Sequence, residues 1–162
     1  KKLATTFWDV IKNEKTTDFK YIFFSTDNSN ALPKSEQETF DVLLKESKKP
    51  NAISYAVYND NNLIGFFQLR YWENNTTLEI SEIWFIKSAR GKGFSVETNK
   101  TIEEIAFSNP NISRIGWQCF EQNIQSKNAA LHNGYKILKT INDSIKKDAV
   151  RLVLIKTPPV RQ

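Results

Sequence analysis

One stretch of the sequence joins an apolar run to a basic, glycine-containing turn. Residues 83–86 are apolar, and Arg90-Gly91-Lys92-Gly93 follows after a short gap. A strand, a tight loop and a helix N-terminus together form a concavity of backbone N–H groups that suits a phosphate. Gly91 and Gly93 permit close backbone approach or a positive φ, and Arg90 and Lys92 add positive charge. The stretch predicts a binding site for the pyrophosphate of a nucleotide-like cofactor.

Hydrophobic periodicity predicts the elements that hold this loop. Alternating patterns separated by short polar turns indicate an antiparallel meander, and a longer helical pattern follows the loop. The predicted strands are Ile53–Tyr58, Leu63–Trp72, Leu78–Ile86, Arg114–Phe120, Tyr135–Thr140 and Ala149–Thr157, and the predicted helices are Phe94–Ser108 and Ile124–Asn133. Within the second strand, Gly65 predicts a bulge or a close backbone approach.

The first part of the chain has a different pattern. Residues 5–14 and 35–48 have helical spacing, and Ser35 with Glu38 forms a capping-box sequence. The apolar cluster 19–24 fits either a strand or a helical turn. We therefore expect a single domain over 1–162, with an N-terminal helical region (1–50) and a core (51–157). The expected fold class is α/β (α+β), with helices on both faces of a mixed sheet.

Composition narrows the class of protein. The net charge of +5 is modest, which disfavours nucleic acid as a partner. The chain has a single cysteine, Cys119, so an internal disulfide is excluded and a cytoplasmic setting is expected. The sequence has no apolar run near the ~18 residues that a membrane span needs, and no cluster of metal ligands, so neither a membrane nor a metal is expected as a partner.

Two separate patches resemble the GCN5-related N-acetyltransferase (GNAT) superfamily. The family's loop reads Arg/Gln-x-x-Gly-x-Gly/Ala, and Arg90-Gly91-Lys92-Gly93-Phe94-Ser95 fills it, with Ser at the last position. The second patch consists of Arg114-Ile115, Asn123, Ser126 and Gly134-Tyr135. Its spacing is similar to that of the ribosomal-protein N-terminal alanine and serine acetyltransferases.

The resemblance implies an N-acetyltransferase that uses acetyl-CoA. It implies a mostly antiparallel sheet of about six to seven strands with a central splay. The backbone of Trp84, Phe85 and Ile86 would bind the pantetheine like an added strand, while Asn123 and Ser126 would border the pantetheine and the thiol. The amides that would hold the pyrophosphate are those of Arg90, Gly91, Lys92, Gly93, Phe94 and Ser95. The acceptor would be a small-molecule amine or a protein N-terminus, and a homodimer is expected.

Direct attack by an amine on a thioester needs a base, an oxyanion donor and a group for the leaving thiolate. Glu82 is our candidate base and Glu79 the alternative; on a regular strand they face opposite sides, so a bulge would be needed to bring both to the cleft. The N–H of Phe85 or Ile86 is the candidate oxyanion donor. The position where many relatives have a tyrosine is Ala130 here, which leaves Ser126, Tyr135 or water for the thiolate.

Two other reactive side chains are given structural roles. Cys119 has no base placed near it in sequence, so we expect a buried hydrophobe rather than a nucleophile. His132, the only histidine, is expected in a solvated or capping role. Two rival hypotheses are a catalytically silent acyl-CoA-binding domain that acts as a sensor or interaction module, and a phosphate- or RNA-binding domain that uses the same basic loop.

Overall fold

A computed structural model describes residues 51–72, 75–144 and 148–159. Before residue 51 it describes only Thr5, Trp8, Ser35, Gln37, Glu38, Asp41, Lys45, Lys48 and Pro50. The predicted apolar cluster 19–24 lies outside the described residues. Thr5, Trp8, Gln37 and Glu38 are helical, and the Glu38 N–H donates to Ser35 Oγ at 3.1 Å, as the capping sequence predicted.

The described core alternates strands with two helices. Its elements are β1 Ala52–Asn59, β2 Asn62–Trp72, β3 Thr77–Phe85, α1 Phe94–Ser108, β4 Arg114–Phe120, α2 Ile124–His132, β5 Lys136–Asn142 and β6 Val150–Lys156. These strands form one sheet in the order β1-β2-β3-β4-β6-β5. All neighbouring pairs are antiparallel except β3 and β4. This confirms the expected mixed, mostly antiparallel fold.

The parallel pair β3–β4 is incomplete. Its register runs from Thr77 opposite Arg114 to Ile80 opposite Trp117 and ends there. Side chains reinforce the paired end, where Arg114 Nε donates to Thr77 Oγ1 at 3.0 Å. Beyond Ile80 the described register gives β3 no partner on the β4 side. The predicted central splay is therefore present, and it opens toward the C-terminal ends of both strands.

An extra residue interrupts β3 just where the splay begins. Gln68 lies opposite Glu82, but the next residue, Leu69, lies opposite Ile80, so Ser81 is bulged. Because Gln68 and Arg70 lie on one face of β2, their partners Glu82 and Glu79 also lie on one face. The bulge that would bring both candidate bases to the same side is present.

The two faces of the sheet differ in character. Both helices pack on one face, the core face, where Ile102 and Ala106 of α1 and Ala130 of α2 are fully or almost fully buried. The opposite face, called the acceptor face below, holds a smaller cluster in which Trp8 packs against Phe66 and Trp84. Helical residues thus pack on both faces, as predicted.

Gly65 marks a close approach between β2 and β3. A Cβ added there would lie 2.4 Å from the Trp84 carbonyl oxygen and 2.7 Å from Phe85 Cδ1. The predicted close backbone approach is confirmed. None of the helices described is both long and apolar enough to cross a membrane.

Candidate active site

The loop between β3 and α1 has the backbone that the glycines predicted. A short 3-10 turn over Lys87–Ala89 precedes it, and Gly91 and Gly93 have φ angles of 76° and 87°. A Cβ added at either glycine would meet no protein atom within 4 Å. The glycines therefore border open space, into which a ligand phosphate could fit.

Gly93 is also the N-cap of α1. Its carbonyl accepts hydrogen bonds from the N–H groups of Val96 at 2.8 Å and Glu97 at 3.3 Å, so the helix begins immediately after it. The N–H groups of the first helical turn, including those of Phe94 and Ser95, point out of the helix end. Together with the helix dipole they favour an anion at this position.

Arg90 braces the loop against β3. Its Nε donates to the Phe85 carbonyl at 2.9 Å, and its guanidinium lies 5.5 Å from the centre of the Trp84 ring. The side chain of Lys92 is exposed. Arg90 thus fixes the strand end to the turn, and Lys92 offers its charge to solvent or to a ligand.

The hydrogen-bond pattern of β3 shows which backbone groups face the splay. The Ile86 N–H donates to the Ile64 carbonyl at 2.9 Å, which makes Phe85 and Gly65 a non-hydrogen-bonded pair. The N–H and C=O of Phe85 therefore point away from β2, toward the opening. Since pairs alternate along an antiparallel ladder, the backbone of Ile83 points the same way, and that of Trp84 points toward β2.

This pattern corrects one prediction. The Ile86 N–H was an alternative oxyanion donor, but it is engaged with Ile64. The Ile86 carbonyl accepts from the Ala89 N–H at 2.9 Å, so the Ile86 backbone holds the turn together. Of the two predicted donors only the Phe85 N–H faces the opening.

Glu79 is committed to a buried polar network on the acceptor face. Its exposure is only 5%, and Arg70 Nη2 donates to one carboxylate oxygen at 2.9 Å. Gln118 Nε2 donates to the other oxygen at 2.7 Å, across the point where β3 and β4 separate. Because both carboxylate oxygens already accept hydrogen bonds from other side chains, Glu79 is not positioned to accept a proton from a substrate amine.

Glu82 lies farther along the same face, beside the open part of the splay. It is partly buried, and its neighbours include the bulged Ser81, whose hydroxyl donates to Gln68 Oε1 at 2.9 Å. The buried Gln68 in turn donates to Ser54 Oγ at 3.1 Å. Glu82 is therefore the carboxylate of the two that adjoins the opening, among hydroxyl and amide groups.

Asn123 and Ser126 lie together at the start of α2. Asn123 is the N-cap, and its side chain accepts from the Ser126 N–H at 3.1 Å. Ser126 Oγ accepts from Trp117 Nε1 at 3.0 Å. The pair is fixed at the end of β4, on the side of the splay opposite Phe85.

Tyr135 is not placed to act as an acid. It is 2% exposed, and its hydroxyl donates to Asn99 Oδ1 at 3.2 Å. Burial, followed by the charge of Glu103, raises the pKa of Tyr135 well above its usual range. Ala130 is fully buried against the sheet. Tyr135 is therefore a core aromatic side chain, and of the groups predicted for the thiolate Ser126 and water are left.

Cys119 and His132 have the roles that the sequence suggested. Burial raises the pKa of the Cys119 thiol, and a hydrogen bond with Ser126 and the charge of Lys127 lower it by less. A thiol that stays protonated is a weak nucleophile. His132 is exposed in the last turn of α2.

A cavity of about 680 Å³ adjoins the loop on its β1–β2 side. Asn59, Asn61 and Asn62 of the β1–β2 turn line one wall, and Lys92 and Phe94 of the loop line another. Its volume is in the range of small-molecule sites. No group of three or more potential metal ligands occurs among the described residues.

Comparison with known proteins identifies the family. The family model "Acetyltransferase (GNAT) domain" matches residues 4–136. The chain belongs to the GNAT family. The expected enzyme class, an N-acetyltransferase that uses acetyl-CoA, is confirmed at the level of this family. No curated protein matches the chain in sequence.

Solved structures share the GNAT fold with this chain. A probable GNAT acetyltransferase from Chromobacterium violaceum has a TM-score of 0.81 at 16% identity, covering 95% of this chain and 77% of that one. The microcin C7 self-immunity acetyltransferase MccE, solved with acetyl-CoA and AMP, has a TM-score of 0.78 at 18% identity, with coverage of 97% and 88%. RimL, a ribosomal L7/L12 alpha-N-protein acetyltransferase, has a TM-score of 0.78 at 14% identity, with coverage of 96% and 84%. The resemblance to the ribosomal-protein branch is thereby confirmed for the fold.

Several residues near this GNAT site were not singled out from the sequence. Ile83 was missed because its role follows from backbone direction, which has no trace in composition. Gln118 and Asn99 had a visible signal, since each is a polar residue at an otherwise apolar position. Gln118 lies between Trp117 and Cys119 on β4, and Asn99 lies on the buried stripe of α1.

Proposed function

We propose that the protein transfers an acetyl group from acetyl-CoA to a primary amine by direct attack, with the cofactor lying along the open half of β3. The observation that carries this is the alignment of two features on one strand. The backbone of Ile83 and Phe85 faces the splay, and the glycine loop follows at the end of the same strand. An amide-bearing pantetheine satisfies such strand groups as an added strand does.

The loop would bind the pyrophosphate through the backbone N–H groups of Arg90–Ser95. Support comes from the open space beside Gly91 and Gly93 and from the helix N-terminus that begins at Phe94. Trp84 and Ile86 would contribute through their side chains, since their backbone groups are directed to β2 and to the turn. Asn123 and Ser126 would border the thiol end from the opposite side of the splay.

Glu82 would accept the proton of the acceptor amine, directly or through a water molecule. The Phe85 N–H would donate to the oxyanion, because it faces the opening in which the thioester carbonyl would lie. Ser126 would donate its O–H to the leaving thiolate. The Trp117 N–H occupies an acceptor position of the Ser126 oxygen, which orients the hydroxyl proton away from the indole.

The assignment of the base is tested by two isosteric variants of the same strand. Glu82→Gln should lower kcat by about 10²–10⁴, the usual contribution of a positioned base, with the Kd for CoA unchanged. Glu79→Gln should mainly lower stability, because it leaves the guanidinium of Arg70 without the carboxylate that pairs with it. Turnover is followed as free thiol released from acetyl-CoA with a panel of primary amines. If Glu79→Gln lowered kcat and Glu82→Gln did not, the base would be Glu79.

The acceptor itself is assigned only as a primary amine, on a small molecule or a protein N-terminus. The acceptor face offers hydroxyl, amide and carboxylate groups at Ser54, Gln68, Ser81 and Glu82, which suits a polar amine. A single domain over 1–162, a cytoplasmic setting and a homodimer belong to the same proposal. Light scattering of the purified protein would test the dimer.

A further inference from the structure

A buried polar pair connects the two helices of the core face. Asn99, on α1, is fully buried. Its Nδ2 donates to the Ser95 carbonyl at 2.9 Å, and its Oδ1 accepts from the Tyr135 hydroxyl at 3.2 Å. Ser95 is the second residue of α1, directly after the glycine loop, and Tyr135 follows Gly134 just beyond the end of α2. The pair thus joins the first turn of α1 to the segment that ends α2.

Contacts continue from Tyr135 to the cap of α2. The Tyr135 and Trp117 rings meet edge to face, with centroids 5.4 Å apart at 75°. Trp117 Nε1 donates to Ser126 Oγ at 3.0 Å, and the Ser126 N–H donates to Asn123 Oδ1 at 3.1 Å. An unbroken series of contacts therefore runs from Ser95 to Asn123.

The two ends of this series are the two halves of the proposed cofactor site. Ser95, in the first turn of α1, carries one of the N–H groups that would hold the pyrophosphate, and Asn123 and Ser126 border the thiol end. No described hydrogen bond joins these two ends directly, and the buried side chains of Asn99, Tyr135 and Trp117 connect them. The separation matters because a ligand that spans both ends loses binding when either end shifts.

We propose that Asn99 and Tyr135 are positioning residues for coenzyme A binding, acting through the first turn of α1 and the cap of α2. This rests on the proposed function. Neither side chain touches the opening of the splay, since both are buried on the core face. A buried polar pair in a core adds little net stability over an apolar pair of similar shape, whereas its directional bonds fix a relative position.

The test compares Tyr135→Phe, Asn99→Leu and the double variant. Tyr135→Phe removes only the hydroxyl and should raise the Kd for CoA about three- to ten-fold, the range of one neutral hydrogen bond. Asn99→Leu should raise it further, because the Ser95 carbonyl also loses a donor. The KM for the acceptor amine should stay unchanged in both variants.

The double variant separates positioning from stability. With both polar groups gone, neither side chain leaves a polar atom of the other unpaired, so the urea midpoint should recover toward the wild-type value. The Kd for CoA should not recover, because the directional bond is still missing. Ile112→Val, which trims a buried side chain after α1 that makes none of these contacts, is the control for simple destabilisation.

A second ligand shows whether the loop half of the site is the part whose binding changes. The fragment 3′,5′-ADP carries the phosphates without the pantetheine, so its Kd reports the loop half of the site. It should be weakened by Tyr135→Phe although Tyr135 lies outside the loop. Equal CoA affinity in wild type, Tyr135→Phe and Ile112→Val, or recovery of affinity in the double variant, would overturn the positioning role. Failure of the wild type itself to bind CoA would instead refute the proposed function.

Discussion

Gly93 offers the sharpest test of the phosphate loop, because backbone strain and ligand contact can be separated there. Its φ is 87°, and an added Cβ would meet no protein atom within 4 Å. Gly93→Ala therefore creates no clash within the protein. Its cost to folding is that of an L-residue in the left-handed region, about 1–2 kcal/mol, which lowers Tm by about 2–8 °C in a chain of this size.

Gly134 is the matched control. Its φ is 83°, and the nearest atom to an added Cβ is Lys156 Nζ at 3.6 Å. Gly134→Ala should therefore lose about the same stability as Gly93→Ala, by the same left-handed strain of about 1–2 kcal/mol, without touching the loop. Differential scanning fluorimetry checks that the two variants match before binding is compared.

Binding should then differ between the two. At Gly93 the new methyl group would occupy the space proposed for the pyrophosphate, and an overpacked contact costs about 1–3 kcal/mol, so the Kd for CoA should rise about 5- to 150-fold. Gly134→Ala should bind CoA as the wild type does. Isothermal titration calorimetry measures both values.

The charge of the ligand is tested by two further variants of the same shape. Gly93→Asp and Gly93→Asn differ only in charge, and a carboxylate about 4 Å from a phosphate is repelled by about 1–4 kcal/mol at an effective dielectric constant of 80 to 20. The difference in the Kd for CoA between these two variants should be smaller at high salt, which screens the repulsion. Two results together would show that the loop does not hold the pyrophosphate. Gly93→Ala would bind CoA as tightly as Gly134→Ala, and Gly93→Asp would have the same Kd for CoA as Gly93→Asn.

Three other predictions follow from buried groups. Tyr135 has its pKa raised by burial and by Glu103, so its stabilising contribution is complete below the unfolded pKa of about 10 and is lost as pH rises above it. Urea unfolding between pH 8 and 11 should therefore show a steeper loss in wild type than in Tyr135→Phe, and parallel curves would contradict the raised pKa. Gly65→Ala should destabilise by about 1–3 kcal/mol through overpacking, measured as a lower urea midpoint at constant slope; a wild-type midpoint would mean that β2 and β3 are not so close. Cys119, with its raised pKa, should resist iodoacetamide at pH 8 until the protein is unfolded, and rapid labelling of the native protein would show that the thiol is accessible.

The sequence predicted best the elements that have strong end signals. The predicted bounds of α1 and β4 agree with the structure, because Gly93 begins the helix and Asn109-Pro110 follows it. The phosphate loop was predictable for the same reason, since few residue types adopt a positive φ. Family membership followed from two patches at a fixed separation, not from either patch alone.

What could not be predicted depends on how strands pair. The bulge at Ser81 could not be predicted, because one extra residue in a strand only interrupts the alternation of apolar and polar residues and does not mark its own position. The loss of the Ile86 N–H as a donor follows from its bond to Ile64, a contact set by register between two strands. The Asn99–Tyr135 bond joins positions far apart in sequence, and nothing local points to it.

The bulge at Ser81 also makes the shape of β3 depend on the number of its residues rather than on their identity. The side chains alternate in one phase up to Ile80 and in the opposite phase from Glu82 onward. Because Ser81 is the extra residue, deleting it would join Ile80 to Glu82 in one regular alternation, with Glu82 still opposite Gln68 on the acceptor face. The strand would lose the bend and the added twist that a bulge gives it at the point where the splay begins. A single-codon deletion would thus keep the proposed base and the proposed oxyanion donor on their present sides, and would test whether the bend of β3 is what opens the site.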